Sequence, residues 1–164
     1  MQRFVSLAAI ALVAISQPTL AQEPGDTAVL LERTETWVQN WRVEPGAPTD
    51  FDTLRSLYST ETYSSFDFGP PAEGFDSFAP AWAYYQQLLG NSPVESWRLE
   101  LIGDSNVELR GDIAWTVSRV SLDGELEDGT VIDVPVARVT LIFEREGDEW
   151  RIVHEHGSVA MDLR

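Results

Sequence analysis

Apolar residues recur at helical spacing in the first half of the chain and at strand spacing in the second. Leu30, Thr34, Trp37 and Trp41 follow steps of four, three and four, which puts them on one face of a helix. Asp26 or Thr27 is placed to cap that helix, which is expected to run to about Arg42 and to end at Pro45-Gly46-Ala47-Pro48. Thr49 with Asp52 forms a capping-box variant ahead of a short second helix through Phe51, Leu54 and Leu57/Tyr58. Residues 59–74 read as irregular, with Gly69-Pro70-Pro71 and Gly74 near their end. A third helix is expected from Phe75 to Leu89, with Trp82, Tyr85 and Leu88/Leu89 on one face. Pro80 must lie in its first turn or bend it, and Gly90-Asn91 closes it.

From Trp97 the period changes to two. Trp97, Leu99 and Leu101 alternate with Arg98 and Glu100, and Val107 and Leu109 with Glu108 and Arg110. Gly111-Asp112 reads as a hairpin turn into a strand that begins Ile113, Trp115, Val117 and ends at Asp123-Gly124. A long strand follows from Thr130 to Arg145, with Pro135 at an edge or bulge. After the turn at Glu146-Gly147-Asp148-Glu149, a last strand runs from Trp150 to about Met161. Helices first and strands later make an α+β domain. Three helices against a curved antiparallel meander form a cone with an apolar pocket at its mouth.

The segment ahead of the helices has a different character. Arg3 is the only charge before Glu23, an apolar run of about a dozen residues spans Phe4 to Ile15, and Thr19-Leu20-Ala21 supplies a small-residue site. A membrane span needs roughly 20 apolar residues, so the run reads as a signal peptide, residues 1–21, cleaved after Ala21. The expected mature domain is 22–164, periplasmic or secreted, with no membrane attachment after cleavage. The chain has no cysteine, which excludes disulfides, a lipid-anchoring thiol and thiolate chemistry.

Charge narrows the partners. Against 27 acidic residues stand 11 basic ones, all arginine, for a formal net charge of −16. Such a chain is repelled by phosphate backbones and anionic membranes, so no nucleic-acid partner is expected. The acids are scattered, as on a solubilising surface; attraction of a cationic ligand or adaptation to salt is the functional alternative.

The C-terminal half carries a resemblance. Ile113-Ala114-Trp115, Asp123-Gly124, Arg138 through Phe143, Gly147, and Trp150-Arg151-Ile152-Val153-His154-Glu155-His156-Gly157-Ser158 resemble the closing strands of SnoaL-like proteins, in the nuclear-transport-factor-two-like (NTF2-like, ketosteroid isomerase-like) superfamily. The last run is also similar to the association domain of calcium/calmodulin-dependent kinase two. The resemblance implies a cone-shaped roll, with a curved antiparallel or mixed sheet wrapped around three N-terminal helices. It also implies a pocket inside the cone and a homodimer through the outer face of the sheet. The family holds isomerase-like enzymes, cyclases and members that only bind or assemble, so fold alone does not choose among them. Its isomerases use an Asp base with Tyr and a protonated Asp; the first helix here offers Trp37 and Trp41 and no Tyr.

His154 and His156, the only histidines, sit two apart on one strand and are expected to share a face with Trp150, Ile152 and Ser158. Pairing across the turn places them near Leu141 and Val139, or near Thr140 and Arg138 if the turn carries a bulge. They read as a hydrogen-bonded pair at the pocket wall, as an acid/base in it, or as the start of a metal site lacking a third ligand; no metal or other cofactor is assigned. Arg119 follows Ile113, Trp115 and Val117 on what is expected to be the inward face, and Arg138 is read in the same way. Each is a carboxylate clamp on a ligand or half of an internal ion pair. Asp67, between Phe66 and Phe68, lies where the isomerase-like enzymes keep their base, or faces water in a loop. Tyr58, Tyr63, Tyr84 and Tyr85 offer hydroxyls, or are core residues with a wet tip.

The expected function is therefore small-molecule binding, of an anionic ligand if both arginines point inward, with the pocket lined by Trp37, Trp41, Trp82, Trp115, Arg119, Arg138, His154 and His156. The alternatives are an isomerase, cyclase or hydratase moving a proton through Asp67, His154 or His156, and an assembly module.

Overall fold

A computed structural model describes residues 24–66, 73–90 and 94–159. The leader expectation and Asp67 lie outside the described residues. Helix α1 spans Pro24–Asn40, α2 Phe51–Ser56 and α3 Phe78–Gly90. Strand β1 is Arg42–Val43, β2 Ser64–Phe66, β3 Val94–Leu101, β4 Asn106–Arg110, β5 Ile113–Leu126, β6 Val131–Glu146 and β7 Glu149–Val159. The sheet order is β1-β3-β5-β6-β7-β2, with β4 also on β5. It is mixed and unclosed, because β2 joins β7 in parallel while the rest are antiparallel.

Several ends differ from the expected ones for local reasons. The α2 cap is Asp50, whose carboxylate accepts from the Thr53 N–H at 3.0 Å and the Thr53 hydroxyl at 2.7 Å. Asp26 is inside α1 and ties it to the sheet: it pairs with Arg145 and accepts from Trp150 Nε1 at 3.2 Å. The Arg145 hydrogen bond holds its carboxyl below the usual range, although partial burial opposes this. Pro80 falls in the first turn of α3, where its missing N–H costs nothing. Pro135 falls in a β6 bulge, between the pairs Val120–Ala137 and Leu122–Val134.

The facing of β5 is the opposite of the one expected. Ala114, Thr116, Ser118, Val120 and Leu122 are buried against the helices, while Ile113, Val117 and Arg119 are exposed. Small inward residues let α1 approach: the Thr34 and Thr116 hydroxyls meet at 3.0 Å. Over Ile113 to Ser118 the bulkier apolar side chains are therefore on the outer side.

Candidate functional site

The site begins with one extra residue. On β7, Trp150 and Ile152 point inward, at 1% and 0% exposure. Ile152 pairs with Phe143, but the next pair is His154 with Ile142, so Val153 is a bulge. A bulge residue reverses the alternation beyond it. Glu155 and Gly157 consequently face the interior, and His154, His156 and Ser158 share the other parity.

Glu155 is thus a carboxylate at 2% exposure, ringed by donors from three elements. Trp37 Nε1 donates to its Oε2 at 3.2 Å, Tyr58 OH donates to Oε2 at 3.0 Å, and Tyr85 OH makes a very short bond to Oε1. Tyr85 has one hydroxyl proton; with the carboxylate taking it, Tyr63, 3.0 Å away, donates to Tyr85. Ser65 Oγ lies 3.1 Å from the same hydroxyl. Burial first, and the Glu155 charge second, push the phenols of Tyr58, Tyr63 and Tyr85 far above their ordinary value. These phenols therefore stay protonated and serve as neutral donors.

Above this carboxylate lies a cavity of about 360 Å³, within the range of small-molecule sites. Helix α1 contributes Trp37 and Trp41, and α3 contributes Tyr84, Tyr85 and Leu88. The sheet contributes Trp97, Leu99, Leu122, Ile132, Val134 and Val139, and β7 adds Glu155, His156 and Gly157. Ser65, Gly74 and Phe75 close one side. Gly74 has φ +70°, and a Cβ there would stand 2.2 Å from the Ser65 carbonyl oxygen, so only glycine fits. The Trp97 indole N–H is buried and has no hydrogen-bond partner among the described residues.

Of the residues singled out from sequence, Trp37, Trp41 and His156 line the cavity. Trp82 does not; it stacks on Phe78 at 5.5 Å and meets Phe51 edge-on at 5.9 Å. Trp115, Arg119 and Arg138 are on the outer face, the two arginines directly opposite each other on β5 and β6. Inward arginines are thus corrected to outward ones, because Ala114, Thr116 and Ser118 take the inner positions. His154 is half-buried on the outer side, with Nδ1 2.8 Å from Ser64 Oγ. His156 is exposed at the cavity rim, beside the Phe66 ring at 5.9 Å. The expectation that both share a face with Trp150 and Ile152 fails at the Val153 bulge: His154 pairs with Ile142 and His156 with Thr140.

Glu155 and Trp97 were not singled out. Parity from Trp150 and Ile152 assigns Glu155 to solvent, and a bulge leaves no mark on the residue pattern. The one usable signal was Tyr58, Tyr63 and Tyr85 together, since buried phenols need acceptors.

Helices held inside a curved mixed sheet, with a cavity between them, define an NTF2-like protein. The chain belongs to the SnoaL-like domain family, whose model matches residues 44–162. Among solved structures, it is similar to an NTF2-like protein of unknown function from Pseudomonas putida, at 20% identity and TM-score 0.63, over 85% of this chain and 87% of that one. An NTF2-like protein of unknown function in nutrient uptake from Rhodospirillum rubrum matches at 22% identity and TM-score 0.58, over 83% and 99%. The CaMKII hub homology domain of Chlamydomonas reinhardtii matches at 15% identity and TM-score 0.57, over 83% and 99%. At such identities the likeness is one of fold. None of the curated proteins matches the chain.

Proposed function

We propose that this chain is an exported domain that binds a largely apolar small molecule inside its cone. The observation that carries the reading is the cavity of about 360 Å³, walled among the described residues mostly by aromatic and aliphatic side chains, with the Glu155 carboxylate in its lining. Such a site gains affinity from apolar burial and orientation from its few polar groups. Trp37, Trp41 and Trp97 in the wall make binding visible as a change in indole fluorescence. Native mass spectrometry of the mature chain (Gln22 onward) purified from an exported preparation tests the reading. A reproducible small adduct supports it; no adduct, together with no fluorescence response across a metabolite library, sinks it.

A second reading, proton transfer of the isomerase, cyclase or hydratase type, is favoured by the same carboxylate. Glu155 lines the cavity with Tyr85 hydrogen-bonded to it, so a bound substrate would meet a carboxylate base held in place by that hydroxyl. Turnover lost in Glu155→Gln with ligand affinity retained would select this reading over binding alone.

Two copies pairing through the outer sheet face complete the proposal. Ile113 and Val117 are 38% and 39% exposed there, beside half-buried Trp115, and Phe66 is 50% exposed on the β2 edge. Sedimentation of wild type and Val117→Glu tests it: a dimer that becomes a monomer on substitution is the expected result, and a wild-type monomer refutes it.

A further inference from the structure

We infer that the cavity selects an organic cation, an amine or quaternary ammonium carried on an apolar body. This rests on the reading of the cavity as a binding site and names the class of its ligand.

The first observation is the wall itself. Trp37, Trp41, Phe75, Tyr84, Tyr85 and Trp97 present rings to one space. Trp37 and Trp41 lie 5.6 Å apart, Trp41 and Tyr85 4.9 Å, and Phe75 and Tyr84 5.5 Å. Several ring faces around one volume attract a cation through their quadrupoles, and the attraction grows as water is removed. The second is the charge at the floor. Glu155 lines this space, and three neutral donors, Trp37, Tyr58 and Tyr85, serve its two oxygens. That is the setting of an ionised carboxylate, acceptor on every side. Among the described residues, no arginine lines the cavity. In a space of low dielectric, a fixed negative charge favours a cation and rejects an anion even without direct contact.

The third observation is independent of the cavity interior. A neighbouring surface basin shares Trp97 and Ile132 with the cavity and is lined by Glu44, Asp123, Glu125 and Asp133. Arg98 also lines it but is engaged with Glu100 at 3.3 Å; Glu44 faces Arg42 at 3.5 Å. The basin adds a negative field beside the cavity wall, on a chain of formal net charge −16. Arg119 and Arg138 do not line this basin; they share the outer parity of Asp123 and Asp133 but lie farther along β5 and β6.

The test uses three probes of similar shape on the mature protein: benzyltrimethylammonium, its neutral carbon isostere 2,2-dimethylpropylbenzene, and the anion phenylmethanesulfonate. Affinities are read by indole fluorescence and calorimetry. The expected result is that the cation binds at least about tenfold tighter than the neutral isostere, with the anion weakest. Glu155→Gln should bring the cation and the isostere to within about threefold of each other. Should that variant fail to fold, Tyr84→Leu removes one ring at a half-buried position and should weaken the cation more than the isostere. Equal or tighter binding of the neutral probe overturns the cation inference and leaves the apolar-ligand reading standing. Binding of none of the three overturns both.

Discussion

Ile152 and Glu155 stand three positions apart on one strand and face the same interior, because Val153 between them is a bulge. Without the extra residue, His154 would face inward and Glu155 would face water. With it, a carboxylate meets Trp37 from α1, Tyr58 from just beyond α2 and Tyr85 from α3, so one side chain ties all three helical segments to the sheet. Burying a charge is costly unless it is fully hydrogen-bonded, and here the fold supplies the bonds.

The first consequence concerns Glu155 itself. Glu155→Leu strands the Tyr58 hydroxyl and leaves Trp37 Nε1 only Tyr58 OH and Tyr85 only Ser65 Oγ, so we expect a loss of about 1–3 kcal/mol in urea unfolding. An unchanged or raised stability would show that the cluster is not held by this acceptor.

The tyrosines should separate in the same experiment. Tyr85→Phe removes a bond to a charged group and should cost about 1.5–3 kcal/mol. Tyr63→Phe removes a bond between neutral hydroxyls and should cost about 0.5–1.5 kcal/mol. The reverse order would mean that Tyr63, not Tyr85, is the donor coupled to Glu155.

These residues show how far the sequence reaches. The steps from Leu30 to Trp41 identified the helix face that is buried; the missing N–H limited Pro80 to a first turn or a bend and Pro135 to an edge or a bulge, and the later start of α3 at Phe78 and the β6 bulge decide between them. The family resemblance of residues 113–158 gave the cone. What misled was parity. On β5 the apolar Ile113, Trp115 and Val117 looked like the core side, yet close helix packing selects Ala114, Thr116 and Ser118. On β7 alternation was right until Val153 and wrong after it. The bulge falls just before the residues of β7 that pair with β2, and no residue type in the run announces it.

Gly74 should tolerate no side chain. Its φ of +70° disfavours any other residue, and an alanine Cβ would collide with the Ser65 carbonyl, whose strand is tied to Phe75 by bonds of 2.8 and 2.9 Å. We expect Gly74→Ala to destabilise by at least about 1–2 kcal/mol from the backbone alone and to weaken cavity ligands. Wild-type melting and binding would show that this segment is not held as described.

The outer face carries a pH dependence with a definite sign. Burial first, and His156 second, hold the His154 imidazole below its ordinary 6.5, while the Ser64 hydrogen bond opposes them. The unfolded chain therefore takes up this proton more readily than the folded one. The contribution to stability is complete above about pH 6.5 and is lost as pH falls from there toward the lower folded value. In His154→Asn that component disappears, so the melting temperature of wild type should fall more steeply than that of the variant between about pH 7 and 5.5. Parallel curves would mean that His154 titrates alike in both states.

Two tryptophans in the same cavity wall should respond differently to loss of their N–H. Trp37 Nε1 donates to Tyr58 OH at 2.8 Å and to Glu155 at 3.2 Å, so Trp37→Phe loses ring area and takes a donor from a buried charge. Trp97 Nε1 is buried with no acceptor among the described residues, so the folded state already carries that penalty, of about 1–3 kcal/mol. Trp97→Phe removes the penalty together with part of the ring, and the two effects oppose each other. We therefore expect Trp97→Phe to cost at least about 1 kcal/mol less than Trp37→Phe in urea unfolding. Equal costs would mean that the Trp97 N–H finds an acceptor in solution, as it would if a water or a retained ligand occupied the cavity beside it.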